Sequence, residues 1–427
     1  MRGVVVTSHG RPRSYRPVAR PAWPALALLA VFGPGLVVML ADTDAGSIIT
    51  AAQSGARWGY AMILPQLALI PILYVVQEMT VRLGICTGAG HGALIRQRFG
   101  RGWAMLSAGT LFVSVIGALI TEFAAVAGVG ELFGISRWVT VPVATAFLAG
   151  IVLTGSYRRV ERIGIAFGLA EVAFVAAMLM SHPGGRAVAH GLASLPFGNS
   201  SYLYLLAANV GAVIMPWMIF YQQQAVIDKG LTPASIGRER ADTAIGAVVT
   251  QIVMIAIVVT LAAVRHGGAA ASFGTVGQIS AALRPALGTA GAKVVFGAGL
   301  LGAALVAALV SSLAGAWGLA EVFGWPGTLN GRPGKTTARF HLTYAFALLA
   351  GAGFVLASAD LISLAVGVEV MNALLLPVVL GFLLALEAKV LPPGRRMHGW
   401  YRFAAWALCL TVMGFGLYVI PALLGLR

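Results

Sequence analysis

The sequence predicts an all-α integral membrane protein of eleven transmembrane helices, built as an inverted repeat of five plus five with helices 1 and 6 discontinuous. Three observations lead there. Of 427 residues, 59% are hydrophobic and 10% charged, against roughly 25% charged in soluble domains. Apolar runs near the length of a membrane-spanning helix, about 20 residues, recur from end to end. Two of these runs are broken by proline, glycine and polar residues, and they lie five positions apart in the order of spans. A membrane β-barrel is excluded, because barrel strands alternate in hydrophobicity over about 10 residues and these runs are continuous.

The elements follow in order. Residues 1–22 carry five arginines and no acid, and read as a disordered basic cytoplasmic tail. They resemble the start of a secretory signal, but no small-residue cleavage pattern follows the first apolar run. A single transmembrane domain then occupies 23–427. Spans are expected at about 25–53, 60–81, 103–129, 138–154 and 163–181 for the first repeat (25–181). The second repeat (203–386) holds 203–227, 241–264, 291–324, 340–357 and 361–386, and an extra helix follows at 402–425. With the amino end inside, 22 of the 29 basic residues fall on cytoplasmic segments. The positive-inside rule therefore supports eleven spans, amino end in and carboxyl end out. The net charge of +15 reports topology, and no nucleic-acid partner is expected.

The breaks are where function is expected. The first span reads GPGLVVMLADTDAGS, with Pro34, Gly35 and Gly46 around Asp42 and Asp44; the sixth reads NVGAVIMPWMIFYQQQ, with Gly211 and Pro216 near its middle. Proline removes a helix donor and clashes one turn back. In hydrocarbon, such interruptions are tolerated only where the backbone is buried in protein or lines a cavity. Two acids about 20 residues into an apolar run are costly, and by default they mark an ion or proton pathway. Lying five positions apart in the order of spans, the two broken helices run antiparallel, which is what an inverted repeat with its site at the midplane produces.

The stretch GPGLVVMLADTDAGSIITAAQSGARWGY resembles the first span of the Nramp family of proton-coupled divalent-metal transporters, whose architecture is leucine-transporter-like. In that family an Asp-Pro-Gly-Asn motif precedes a Gln-x-Gly-Ala-Arg-x-Gly-Tyr run. Asp44, Ala45, Gly46 and Ser47 fall on the tetrapeptide, and Gln53, Gly55, Ala56, Arg57, Gly59 and Tyr60 match the run. RLGICTGAG (82–90), GAVIMPWM on the sixth span, YRRVER and SSLAG also have family counterparts. The departures are informative. Ala45 replaces the motif proline and Ser47 its asparagine. Trp217 and Met218 replace the family's His-Asn after Met215-Pro216, and Gln222 replaces a further histidine. Glu122 keeps one of two acids on the third span while Ala125 stands at the other. Glu369 falls where glutamine is usual, and Asp42 has no family counterpart. The chain is thus similar to a divergent member, near the branch described as magnesium transporters.

What the resemblance implies is a divalent cation held by Asp44, Ser47, the Met215 thioether and the carbonyls of Ala41 and Ala212. Asp42, Glu122, Glu369, Trp217 and Gln222 would stand behind that shell or along a proton pathway. The thioether suits transition metals, although methionine also fills apolar gaps. The extra acids suit Mg²⁺, which keeps several waters and favours carboxylates. The reading leans to a Mn/Fe-type importer working by alternating access, with a Mg-type importer without proton coupling as the alternative. Buried carboxylates can carry protons at physiological pH; Glu122, Glu369 and Asp44 are the candidates. Asp42 could instead cap the helix that follows the break, as aspartates commonly do.

Nothing in the sequence suggests an enzyme or a cofactor; the metal is cargo. An amino-acid or organic-cation carrier on the same architecture would not want an unpaired Asp44, and a metal sensor is a weaker option. Glu161 beside Arg158 and Arg159 reads as an inside-face ion pair, whereas Glu171 has no evident partner. The histidines sit in loops or at helix ends without metal-ligand spacing, and Cys86 and Cys409 read as small core residues. The expected partners are the metal ion, protons and the bilayer of the cytoplasmic membrane. The sequence sets no oligomeric state.

Overall fold

A computed structural model describes residues 34–153, 156–264, 273–327, 329, 334–358 and 360–423. The basic tail expected at 1–22, and the start of the first span, lie outside the described residues. The first span is two helices, α1 (Pro34–Asp42) and α2 (Ala45–Trp58). A 3-10 turn over Gly59–Met62 leads directly into α3 (Ile63–Thr87), and a short α4 (His91–Phe99) precedes the 32-residue α5 (Arg101–Leu132). Then come α6 (Arg137–Leu153), α7 (Tyr157–Gly168) and α8 (Val172–Met180), the last two joined by a 3-10 turn at Leu169–Glu171.

After a connecting helix, α9 (Gly185–Ala193), the second repeat opens as the first did. It too begins with two helices in place of one, α10 (Ser200–Val213) and α11 (Pro216–Asp228). It continues through α12 (Ile236–Ala263), α13 (Val276–Ala282), α14 (Arg284–Phe323), α15 (Ala338–Ala357) and α16 (Leu361–Val390), and α17 (Gly399–Leu423) is the appended helix.

Each expected span overlaps helix, and both expected breaks are present. Among the described residues nine helices are long and apolar enough to cross a membrane, and Arg137–Leu153 is apolar but shorter. This differs from the expected eleven for two local reasons. The turn at Gly59–Met62 keeps hydrogen bonding continuous, so Ala45–Thr87 runs as one 43-residue segment. The fourth span is simply short. The connecting helices α4, α9 and α13 have no counterpart among the expected elements, because they are brief and only partly apolar.

The distribution of side chains is that of a membrane protein. Trp103, Val143, Leu179, Leu342 and Phe403 face outward, each more than half exposed, while Asp42, Asp44, Glu122, Gln222 and Glu369 are at most 2% exposed. Water would reverse that arrangement; hydrocarbon outside and a polar pathway inside explain it. The second repeat wraps the first. Helices α5 and α14 lie along each other through the centre, α10 packs on α16, and α12 packs on α1, α2 and α3.

Charges at the helix ends are paired, though not always as neighbours in sequence would suggest. Glu161 is bound by Lys229 Nζ at 2.8 Å, from the end of α11. Cys409 is buried as expected, whereas Cys86 is only partly so. Oxidation state places no constraint on the fold.

Candidate metal-ion site

The first span breaks at Thr43-Asp44, within helix-free backbone between α1 and α2, and polar side chains hold it open. Helix α1 ends at Asp42, and a helix end leaves its last four carbonyls, here including that of Ala41, without intrahelical partners. Side chains from elsewhere take two of them. Thr250 of α12 donates its hydroxyl to the Met39 carbonyl, and Ser47 donates to the Asp42 carbonyl at 2.9 Å. Thr43, the residue in the gap, meets Thr250 hydroxyl to hydroxyl at 2.8 Å. The other end of α1 is capped from α12 as well, where Asp242 Oδ2 accepts the Leu36 amide at 3.2 Å.

Asp44 has extended backbone (φ −72°, ψ 176°) and is the N-cap of α2, its Oδ1 accepting the Ser47 amide at 2.7 Å. The capping role that the sequence allowed for Asp42 therefore belongs to Asp44. An N-cap aims its carboxylate along the helix axis at the positive end of the peptide dipoles. Its second oxygen, Oδ2, receives no hydrogen bond among the described residues, and it lies beside the Glu122 carboxyl. Glu122 in turn takes the next free amide of α2, Ala45 N to Oε2 at 3.2 Å, and a hydroxyl from Thr121 at 3.2 Å. Two acids thus share the amino end of one half-helix.

The second break forms at the corresponding point of the second repeat. Ile214 (φ −126°, ψ 84°) and Met215 (φ −93°, ψ 139°) leave the helix, and Pro216 restarts it at the first position of α11. A proline there sacrifices no hydrogen bond, since that amide has no partner in any helix. Ser47 joins the two breaks: its hydroxyl lies 3.0 Å from the Ala212 carbonyl as well as 2.9 Å from that of Asp42.

Glu369 on α16 closes the third side. A side-chain carbon added at Gly46 of α2 would collide with Glu369 Oε1, and one added at Gly211 of α10 would collide with the Glu369 carbonyl. Each broken helix therefore touches this one residue through a glycine. Glu369 Oε2 accepts from Asn372 at 3.1 Å, and Asn372 is held by Ser114 at 2.8 Å. Oε1 has no partner among the described residues, nor has either oxygen of Asp42.

The ten residues singled out from sequence therefore fall into two groups. Asp42, Asp44, Ser47, Ala212, Glu122 and Glu369 are linked to one another by hydrogen bonds, backbone contact or adjacent charge. Ala41 is fully buried in the last turn of α1. Met215, Trp217 and Gln222 are fully buried on the second break and the helix after it. The Trp217 indole nitrogen and both Gln222 amide atoms lack hydrogen bonds among the described residues.

Sequence reasoning missed several neighbours. Thr43, Thr250, Asn372 and Ser114 all serve the breaks. Glu171, without an evident partner in the sequence, sits beside Thr43 and near Asp42. A further network, Gln66 to Asn209 at 2.5 Å and Asn209 to Ser54 at 2.8 Å, ties α3, α10 and α2 together. Isolated polar residues within apolar runs were the available signal; which of them meet was not.

Chemically, the centre brings together anionic oxygens, the Ser47 hydroxyl and main-chain carbonyls around interrupted backbone. Such a mixed donor set can replace part of a cation's water. Among the described residues no three His, Cys, Asp or Glu side chains are grouped so as to hold a metal ion.

Comparison with known proteins gives a consistent placement. The profile of the family described as "Natural resistance-associated macrophage protein-like" (Nramp) matches residues 35–422. The chain is 26% identical over 329 residues to the divalent metal cation transporter MntH of Chromohalobacter salexigens, covering 72% of each. It is 28% identical over 311 residues to MntH of Verminephrobacter eiseniae, covering 68% of each. Among solved structures, the manganese transporter of Eremococcus coleocola superposes with a TM-score of 0.73 at 19% identity, over 95% of this chain and 89% of that one. MhsT in complex with L-phenylalanine superposes at 0.63 and 16% identity, over 91% and 98%. At these identities the superpositions establish the shared fold.

Proposed function

The chain belongs to the Nramp family, and on that premise we propose that it imports divalent metal cations of the Mn/Fe type across the cytoplasmic membrane by alternating access. Asp44, Ser47, Met215 and the carbonyls of Ala41 and Ala212 hold the ion. The observation that carries this is the Asp44 carboxylate. One oxygen is fixed by the Ser47 amide while the other is buried without a donor among the described residues, on the interrupted backbone itself. A cation at that oxygen supplies the missing partner. The relatives named as divalent metal cation transporters and the solved manganese transporter support the same cargo.

Alternating access follows from the joints. The two half-helix pairs meet at Thr43-Asp44 and Ile214-Met215, where no helical hydrogen bond resists bending, and Ser47 links them. In this reading the amino end faces the cytoplasm and the carboxyl end the outside, which the distribution of basic residues supports. Glu122 and Glu369 are the groups placed to carry a coupled proton, because each contacts the half-helix that Asp44 caps.

A second cargo is favoured by a specific observation. Three carboxylate oxygens beyond Asp44, both of Asp42 and one of Glu369, lack partners among the described residues. This suits an ion that keeps water between itself and the protein, as Mg²⁺ does. Uptake into proteoliposomes with Mn²⁺, Mg²⁺ and Ca²⁺ in competition, read together with internal pH, tests all of this. Mn²⁺ uptake outcompeting Mg²⁺ with internal acidification supports the first reading. Mg²⁺ uptake at constant internal pH supports the second, and no metal uptake overturns both.

A further inference from the structure

Away from the breaks, the ends of α3, α12, α16 and α17 surround a cavity of about 320 Å³ whose lining includes Arg82, Arg240, Arg395, Arg396, His398 and Tyr401. Four guanidinium groups around one small space repel one another unless something offsets them. Two buried acids do so in part. Glu78 is bound by Arg82 at 2.9 Å, by Arg240 at 2.7 Å and by the Tyr401 hydroxyl at 3.1 Å. Glu387 accepts from Arg82 at 3.3 Å and from the Met397 amide at 2.5 Å. Arg82, its side chain 3% exposed, spends both terminal amino groups on this floor, one of them also holding the Arg395 carbonyl at 2.9 Å, which fixes the loop after α16.

The rim is different. Arg395 is exposed and lines the cavity. Arg396 spends only Nε, on the Leu391 carbonyl at 2.6 Å, leaving its two terminal amino groups. The side chain of Arg240 is 45% exposed. Four arginines against two glutamates leave an excess of two positive charges, and the planar guanidinium groups of Arg395 and Arg396 line the cavity. Paired N–H groups of that kind match the oxygens of a phosphate.

The opening lies where the bilayer surface would be. Helix α17 begins at Gly399, immediately after the cavity loop, and Trp400 and Phe403 of its first turn are 76% and 63% exposed with their rings 5.3 Å apart. Exposed aromatic residues at the start of a span mark the headgroup level. Basic pockets between spans on the cytoplasmic side are where anionic headgroups bind. We propose that this cavity binds the phosphate headgroup of an anionic phospholipid, with Arg395 and Arg396 as the principal ligands and Arg240 completing the site. The aromatic pair favours a membrane-borne phosphate over a dissolved one. This site is separate from the metal centre, and it stands whichever cation is carried.

The test uses the full chain in nanodiscs of phosphatidylcholine alone or mixed with phosphatidylglycerol, with native mass spectrometry of the lipids retained on release. The expected result is selective retention of phosphatidylglycerol, reduced roughly tenfold or more in the double variant R395A/R396A. Both residues lie between α16 and α17, and the one hydrogen bond found for either guanidinium is that of Arg396 Nε to Leu391 at the end of α16, so folding, checked by thermal melting, is expected to persist. R98A/R101A, which removes two exposed arginines elsewhere, should change retention little. Equal retention of both lipids overturns the proposal, as does an equal loss in the R98A/R101A control. Displacement of the retained lipid by millimolar inorganic phosphate would assign the site to a dissolved anion and also overturn it.

Discussion

Ser47 of the first helix break donates its hydroxyl to the carbonyl of Ala212 in the second, 3.0 Å away and 165 residues distant in sequence. The family's usual residue there is an asparagine, whose amide could serve a cation and a carbonyl at once. A serine hydroxyl has one proton, shared here between the Ala212 and Asp42 carbonyls, and only its lone pairs remain for a metal. Ser47→Ala should therefore loosen the joint and remove a ligand together. A loss of about 1 kcal/mol in stability is expected, with a rise in the Km for metal uptake. Unchanged transport with lowered stability would make Ser47 a structural tie alone.

Asp44 caps α2 and is the proposed central ligand, and the two roles separate by substitution. Asparagine is as good an N-cap as aspartate but carries no charge. Asp44→Asn should keep the melting temperature close to that of the unaltered protein while abolishing uptake. Asp44→Ala should abolish uptake and also cost about 1 kcal/mol for the lost cap. Transport at the normal rate by the asparagine variant would remove Asp44 from the site.

Met215 tests the soft-ion preference. Met215→Ala should weaken Mn²⁺ or Cd²⁺ binding by about 1–2 kcal/mol, roughly tenfold, and Mg²⁺ much less, measured by calorimetry or competitive uptake. An equal loss for every ion would leave Met215 as packing.

Asp42 and Glu369 divide the two cargo readings. With the cap assigned to Asp44, the unpartnered oxygens of Asp42 need another explanation, and a hydrated ion is the one proposed. Asp42→Asn and Glu369→Gln should lower Mg²⁺ transport and spare Mn²⁺ if those charges serve bound water. If Glu369→Gln instead removes only the pH dependence of uptake, Glu369 is the proton carrier. Gly211→Ala is a structural control, because its methyl would strike the Glu369 carbonyl. A loss of about 1–3 kcal/mol in stability is expected from such overpacking.

His91, at the start of α4, is fully buried against Phe220 and bonded to Gln223 at 3.2 Å. Burial pushes its imidazole down from 6.5 to about 4, the Gln223 hydrogen bond opposing slightly. The unfolded chain then binds the extra proton between pH 6.5 and 4, so stability is complete above 6.5 and falls as pH drops towards 4. The full effect is about 3 kcal/mol. Thermal melting of His91→Gln should show a flatter pH dependence across that window; an unchanged slope would refute the assignment.

The sequence by itself determined the solvent and the joints. Hydropathy along the chain reports hydrocarbon directly, and Pro216 and the acids at 42 and 44 act on their own backbone, so both breaks were legible where they occur. The resemblance of GPGLVVMLADTDAGS to a family motif likewise pointed to Asp44. Tertiary structure decided who meets whom. That Asp44 and not Asp42 caps α2 depends on which residue turns towards the Ser47 amide. That Glu369 touches both broken helices depends on Gly46 and Gly211 lying against α16. That Glu161 pairs with Lys229, and that four arginines from distant segments line one cavity, depends on helix packing. Periodicity and hydropathy are local properties of the chain, whereas these contacts join residues tens to hundreds of positions apart, and only the packed helices bring them within the few ångströms over which hydrogen bonds and ion pairs act.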